Sequence, residues 1–245
     1  MSIDVIHETP RYIVVNKPAG IIVIPDQYTD KDNTLVGEVS ARAGQKVWVV
    51  HRIDRDTTGI VIFAKDAEAH AFLCRQFEKG EVQKKYITLV NGRVASDTGM
   101  IDTPIKIEGR NVRLVDHGRP DRENRPGVKD SLTLYTVKER FRDFTLLEVE
   151  LKTGRRHQVR VHMWSLGHPL AVDPEYTHKE SLFLSEFKRG YKGKAGEKPL
   201  LGRLSLHAWT LSCKEPGSDA VVRFEAPLPK DFEVTLKQLR KYNHG

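Results

Sequence analysis

The chain has little cysteine and no long apolar run, and each shortage removes a class of function. Only Cys74 and Cys213 occur in 245 residues, neither within a CxxC pair, so they cannot build a zinc site by themselves. No apolar stretch approaches the length that spans a bilayer, and the opening MSIDVIHETPRY lacks the basic-then-apolar order of a signal peptide. A reducing, cytoplasmic compartment without a membrane partner is the expectation. There is no GxGxxG or Walker-type loop and no HExxH, and no metal is expected. Internal repeats and separating linkers are also missing, which predicts one domain over residues 1–245.

What the chain does have is positive charge. Forty basic residues against 33 acidic give a formal charge of +7, on a chain that is 39% hydrophobic. Such a chain folds, stays in solution and is attracted to polyanions. Much of the excess falls in two segments with little apolar content, 108–130 and 188–198. They offer Arg110, Arg113, Arg119, Lys188, Arg189, Lys192 and Lys194 as phosphate contacts, against the plainer reading of solvated charge.

Periodicity predicts mostly strands. A short strand, a turn at Thr9-Pro10, a strand over Tyr12 to Val15 and a turn at Lys17-Pro18-Ala19-Gly20 lead into a further β-rich run. Residues 66–79 change to helical spacing, with Asp66 as N-cap, Ala69, Phe72, Leu73 and Phe77 on one stripe, and Gly80 as the stop. KKYITLVNG alternates as a strand, SLTLYTVKERF and DFTLLEVELKTG read as two more, and 108–130 reads as a long exposed loop or hairpin. RRHQVRVHMWSLGHP has helical length, and KESLFLSEFKRGYKGKAGEKPL contains a short amphipathic piece and a Gly/Lys tract. GRLSLHAWTLSC and AVVRFEAP read as strands, and a helix with Phe232, Leu236 and Leu239 inward closes the chain. Strands outnumber helices and rarely alternate with them, so the class is α+β with a mixed, largely antiparallel sheet flanked by helices and loops.

One passage, VWVVHRIDRDTTG, sets charge inside an apolar frame. If residues 47–54 are extended, Arg52 and Asp54 share one face while His51 and Ile53 take the other. Two readings are open there. One is a strand end with a local ion pair, followed by a turn over Asp56 to Gly59; the other makes Asp54 a nucleophile or base, kept ionised by a nearby arginine. The supplier of a second basic cluster is LKTGRRHQVRVHMWSLGHPLAVD, where a glycine turn delivers Arg155 and Arg156 to a helix start. His157, His162 and His168 lie five and six apart, unlike the one-turn spacing of zinc helices, and read as hydrogen-bonded packing or RNA contacts.

These motifs together resemble the RluA-like family of RNA pseudouridine synthases. His51 to Gly59 is similar to its HRLDxxTSG signature, Asn16 to Gly20 to its KPxG element, and Lys85-Tyr86 through Gly92 to its KxYxAxVxG strand. Lys129 to Tyr135 resembles KxAxTxY, Thr153 to Asp173 resembles TGRxHQIRxHxxxLGHPxxGD, Arg203 to Ala208 resembles RxxLHA, and Phe224 to Pro229 its ending. Ile53, Thr58, Ser131 and Val172 depart from the usual leucine, serine, alanine and glycine, and Val172 puts the following loop path and substrate choice in question.

The resemblance implies a pseudouridine synthase fold with a central active-site cleft, no redox or energy cofactor, and RNA (ribosomal or transfer) as partner; the family's S4-type RNA-binding domain is not expected, since the KPxG element begins near residue 16, and the oligomeric state is open with a monomer as the default. It implies that uridine is isomerised with Asp54 as nucleophile, Tyr86 against the uracil and Arg155 supporting the carboxylate. Arg52 would fill the stack left by a flipped base. His51 would brace the motif or the RNA backbone, and Thr57 and Thr58 would fix the turn through side-chain to backbone bonds. Arg156, His157, Arg160 and His207 complete the expected RNA- and substrate-binding set. Two other classes compete: an Asp-dependent nucleoside or glycoside hydrolase, which normally needs a second carboxylate, and an RNA-binding protein with a vestigial site.

Overall fold

A computed structural model describes residues 3–30, 33–109, 111–115, 126–193, 195–218 and 220–244. In chain order the strands and helices are β1 (Asp4–Glu8), β2 (Tyr12–Lys17), α1 (Leu35–Ala43), β3 (Trp48–Val49), β4 (Thr58–Ala64), α2 (Ala67–Glu78), β5 (Gln83–Asn91), β6 (Thr98–Asp102), β7 (Ile105–Glu108), β8 (Asn111–Leu114), β9 (Val128–Lys129), β10 (Leu132–Arg140), β11 (Phe144–Leu151), α3 (Gln158–Ser165), β12 (Leu206–Lys214), β13 (Val221–Glu225) and α4 (Lys230–Tyr242). The class is α+β with largely antiparallel pairing, as the sequence predicts. The chain forms two compact units, one from residues 1–85 with 207–228, the other from 86–206 with 229–245.

The first unit is organised by β4, whose seven residues TGIVIFA are all buried. Strands covered on both faces lose the polar alternation, and this one has. β2 pairs antiparallel with it from Tyr12↔Ala64 to Lys17↔Gly59, β1 lies outside β2, and β12 pairs parallel through His207↔Thr58 and Ala208↔Gly59. Gly59 is required by this arrangement. Its φ is 111°, and a Cβ there would stand 2.1 Å from the Ala208 carbonyl oxygen.

Helix α2 is capped as the sequence predicts, Asp66 accepting from the Ala69 N–H. It buries Ala69, Leu73 and Gln76 and leaves Phe72 and Phe77 half-covered at the edge of the core.

Three local expectations are corrected. The β-rich run after Gly20 is not a strand: the carbonyls of Ile22 and Val23 accept the N–H groups of Leu35 and Val36 and so serve the first turn of α1, a helix the sequence reading missed. The extended reading of 47–54 holds only for Trp48–Val49. One position further along β4, the Ile62 N–H goes to the His51 ring at 3.1 Å, and a side chain there takes the place of a ladder partner. The turn lies at Asp54 to Thr57, closed by Thr57 N–H to Asp54 C=O at 3.2 Å, and Gly59 belongs to the strand.

In the second unit the strand order is β5-β11-β10-β6, and β8-β7-β9 form a separate small sheet. The segment read as a loop or hairpin therefore contains β8 and β9. Arg110, Arg119 and Lys194 lie outside the described residues. Helix α3 lays Val159 and Met163 against Leu147, Val149 and Leu151 of β11. Helix α4 turns Phe232, Leu236 and Leu239 inward as predicted, and Asp231 at its start holds Arg203 through two bonds of 2.8 Å. Among the described residues no helix is long and apolar enough to cross a membrane.

Candidate active site

The Asp54 turn is built onto the end of β4 and held from one side by a buried lysine. Lys17 has no exposed surface, and its three ammonium protons are matched by three carbonyls: Pro18 at 2.8 Å, Ile21 at 2.7 Å and Arg55 at 2.7 Å. The Arg55 carbonyl also accepts the Gly20 N–H at 3.0 Å, and the Arg55 Nε donates to the Gly20 carbonyl at 3.1 Å. Three of these contacts, all made by Arg55, lock the Lys17 to Ile21 turn to the Asp54 to Thr57 turn. Burial pulls the Lys17 ammonium from 10.5 to about 7, while Asp56 and then Asp54 pull the other way.

The residues around Asp54 divide by exposure. Arg52, Arg55 and Asp56 are exposed, Asp54 is half-buried, and Ile53, Thr57 and Thr58 are buried. The expectation that Thr57 and Thr58 fix the turn through their hydroxyls is corrected. Among the described residues the Thr57 hydroxyl has no partner, and the Thr58 hydroxyl meets His207 Nδ1 at 2.8 Å. His207 has no exposed surface and its Nε2 lies 3.2 Å from the Ala226 carbonyl, so Nε2 donates there and Nδ1 accepts from Thr58. With both nitrogens so used, His207 holds β12 to the strand that follows the Asp54 turn and does not meet RNA.

His51 is likewise turned inward. Its ring stacks on Phe77 at 4.6 Å between centroids and its Nε2 accepts from Ile62. Burial, with Lys84 adding to it, brings its pKa down to about 3, so it is neutral at physiological pH and braces the motif as an uncharged acceptor.

Tyr86 and Arg155 belong to the second unit. Tyr86 is half-buried near the start of β5, against a core that includes Val90 and Val149. Arg155 is half-buried on the turn before α3, its Nε donating to the Asp130 carbonyl at 2.9 Å. It borders a hollow of about 810 Å³ lined by Asp102, Lys129, Asp130, Ser131 and Thr153 among others.

The turn itself is set by Gln158, which the sequence reading did not single out. Its Oε1 accepts from the Thr153 hydroxyl at 2.8 Å and the Arg155 N–H at 3.0 Å, and its Nε2 donates to the Leu132 carbonyl at 3.1 Å and the Thr133 hydroxyl at 2.9 Å. All four capacities of a buried amide are filled, which fixes its orientation. Ser131, where the family pattern has alanine, adds a bond of 2.6 Å to the Thr103 carbonyl and one of 3.1 Å to His162.

The other expected contacts are uneven. Arg156 is exposed, with one bond from Nη1 to the Gly109 carbonyl at 3.1 Å. Arg160 is 6% exposed and donates to Asp173 at 2.8 and 2.7 Å and to Glu175 at 2.9 Å, with its guanidinium 4.7 Å over the Tyr176 ring. His157 caps α3 at φ 54° and meets the Tyr176 hydroxyl at 2.8 Å. Arg160 and His157 therefore hold the frame behind Arg155 and Arg156, and their expected place among the RNA contacts is revised on that ground. Among the described residues no three histidine, cysteine or acidic side chains converge on a metal-sized site.

Neither Lys17 nor Gln158 is a site residue by type. Each fixes the turn that carries a residue singled out for chemistry. The only sequence signal for Lys17 is a lysine before Pro-x-Gly at the end of an apolar strand, and for Gln158 its place three residues after Arg155.

Comparisons with known proteins give the family and the fold. The profile of a family described as RNA pseudouridylate synthase matches residues 11–165. The chain is 36% identical to the RNA pseudouridine synthase YlyB of Bacillus subtilis, over 98% of this chain and 74% of that one. It is 34% identical to the ribosomal large subunit pseudouridine synthase D of Nitrosomonas europaea, over 100% of this chain and 67% of that one. Among solved structures it is similar to human RNA pseudouridylate synthase domain containing 4, with a TM-score of 0.74 at 25% identity, covering 97% of this chain and 93% of that one.

Proposed function

This chain belongs to the RNA pseudouridylate synthase family and is an RNA pseudouridine synthase, and from that premise we propose that Asp54 is its nucleophile and that large-subunit ribosomal RNA is its substrate. The observation that carries the first part is the Lys17 clamp, which holds the Asp54 turn through a buried ammonium whose three protons are all matched. The second part rests on the relatives, several of which bear the name ribosomal large subunit pseudouridine synthase D.

The reaction is an isomerisation. The N1–C1′ bond breaks, the uracil turns, and a C5–C1′ bond forms; N1 takes a proton and C5 gives one up, so nothing is oxidised and no atom of the substrate skeleton is lost. Asp54 attacks the uracil ring or C1′, or assists elimination. Tyr86 lies against the base, stacking on it and taking the C5 proton late in the reaction. Arg155 supports the ionised Asp54 as an opposite charge. The target must leave the helical stack first, and exposed Arg52 is the side chain proposed to fill the gap. Arg156, also exposed, contacts the backbone near the target.

Unmodified large-subunit rRNA transcripts and an unmodified tRNA pool provide the test, with nucleosides separated after digestion. Pseudouridine in the ribosomal transcript, without free uracil, is the expected result. Pseudouridine in tRNA alone would move the substrate, free uracil would mark a hydrolase, and binding without product would mark an RNA-binding protein.

A further inference from the structure

A second basic site lies in the second unit, where three chain segments meet in a hollow of about 330 Å³ lined by Arg142, Lys188, Arg189, Lys241, Tyr242 and His244. Four permanent cations line it, and among the described residues the carboxylate that faces them is Asp143, bound to Arg142 at 3.0 and 2.6 Å and held below its ordinary pKa by Arg142 and, more weakly, by Arg189. Among the described residues no carboxylate reaches ion-pair distance of Lys188, Arg189 or Lys241. Lys188 instead stands 4.9 Å over the Tyr191 ring and 4.6 Å over the Tyr242 ring, and Lys241 stands 5.0 Å from the Tyr242 ring. Aromatic faces orient an ammonium without neutralising it, so the charge is held in place and left available.

The hollow is framed rigidly. The Arg142 N–H donates to the Asn243 carbonyl at 2.7 Å, the Asp143 N–H to Asn243 Oδ1 at 3.0 Å, and Asn243 Nδ2 to the Asp143 carboxylate at 2.6 Å. Asn243 is fully buried, Phe141 bridges His244, and Arg142 Nη2 reaches the Phe187 carbonyl at 3.1 Å. The β10–β11 turn, the segment that ends at Phe187 and the end of α4 are thus bonded together around the buried Asn243, unlike a set of independently solvated lysines. The volume exceeds what a single phosphate needs.

We propose that this hollow is a phosphodiester subsite that grips the RNA backbone away from the target uridine. The inference rests on RNA being the substrate, and it gives Lys188 and Arg189 a concrete partner set in Arg142, Lys241 and Tyr242. A backbone phosphate supplies the missing anion for two or three cations at once, and the tyrosine edge sits beside its sugar or base.

The test compares two charge-matched triple variants by fluorescence anisotropy on a labelled oligouridylate and a labelled large-subunit rRNA transcript, across a salt series. Lys188→Gln with Arg189→Gln and Lys241→Gln empties the hollow of free cations; Lys214→Gln with Lys230→Gln and Lys237→Gln removes the same charge from exposed positions elsewhere. The hollow variant should lose roughly 10-fold or more in affinity near 0.1 M salt, and its log K against log salt slope should flatten by about 0.7 per lost phosphate contact on single strands. The matched variant should keep the parental slope, and both should keep the parental melting temperature.

Equal losses from both variants, or none from the hollow variant, would overturn the subsite. Displacement of RNA by micromolar inorganic phosphate at matched ionic strength would reassign the hollow to a small anion and overturn it too. Binding does not depend on turnover, so a chain that binds through the hollow but forms no pseudouridine would refute the catalytic reading alone.

Discussion

The Lys17 ammonium donates to the backbone carbonyl of Arg55 at 2.7 Å, across 38 positions of sequence, and so joins the strand β2 end to the residue that follows Asp54. Because two further carbonyls complete its shell, the side chain acts as a three-way bolt between two turns. The account of the site depends on that bolt more than on any exposed residue.

Replacing Lys17 by methionine keeps the volume and takes the lysine donor from the Pro18 and Ile21 carbonyls, while the Arg55 carbonyl keeps only the Gly20 N–H. Each orphaned acceptor costs on the order of 1 kcal/mol or more, so the loss should amount to about 2 kcal/mol or more and the Asp54 turn should loosen. The expected result is a kcat reduced by at least ~10-fold, beyond what the lower melting temperature explains when both proteins are assayed well below their midpoints. Parental kcat in a folded variant would remove the clamp from the mechanism.

The same residue makes a prediction about pH. Folding lowers the Lys17 pKa from 10.5 to about 7, so between those values the unfolded chain binds the extra proton and this residue's contribution to stability rises with pH. Below pH 7 both states are protonated and the contribution is flat. Melting curves at several pH values should therefore show the gap between the parent and Lys17→Met widening from pH 7 towards 10. A gap that narrows over that window would mean the ammonium stays charged and favoured when folded.

Gln158 offers a sharper substitution. Changed to glutamate, it keeps the two acceptor bonds to Thr153 and Arg155 but loses both donors, and it faces the Leu132 carbonyl with a carboxylate. A buried charge facing an acceptor should cost roughly 2–4 kcal/mol and displace the Arg155 backbone. Thermal melting and steady-state turnover together check this, with Gln158→Glu expected to lose both. Unchanged melting would show that the amide is not the organiser of that turn.

Thr57 carries the buried hydroxyl that finds no partner among the described residues. Valine is its near-isostere without the oxygen, and removing an unsatisfied buried polar group is neutral or stabilising. Differential scanning calorimetry should give Thr57→Val a stability equal to the parent or about 1 kcal/mol higher. A loss of more than that would reveal a hidden partner for the hydroxyl.

How much of this was legible in the sequence follows from how local each feature is. Helices α2 and α4 and strands β10 and β11 are set by periodicity within a dozen residues, and they stand where the pattern puts them. Helix α1 was not legible, because the apolar run before it looks like a strand until its carbonyls are seen to accept from the helix start. Asp54 could be found through its motif. The inward turn of His51, His207 and Arg160 could not, since each is fixed by partners outside its own element: Asp173 lies 13 positions from Arg160, and Thr58 lies 149 positions from His207. Lys17 is the extreme case, a lysine that composition alone would place in solvent and that three carbonyls take to full burial.

The most direct test of the central claim is tritium release from RNA labelled at uridine C5, comparing the parent with Asp54→Asn on the same substrate at equal bound fraction. If Asp54 is the nucleophile, the parent releases tritium with pseudouridine in its product, while the variant binds the RNA and releases none above background. Release by Asp54→Asn at the parental rate would contradict the assignment.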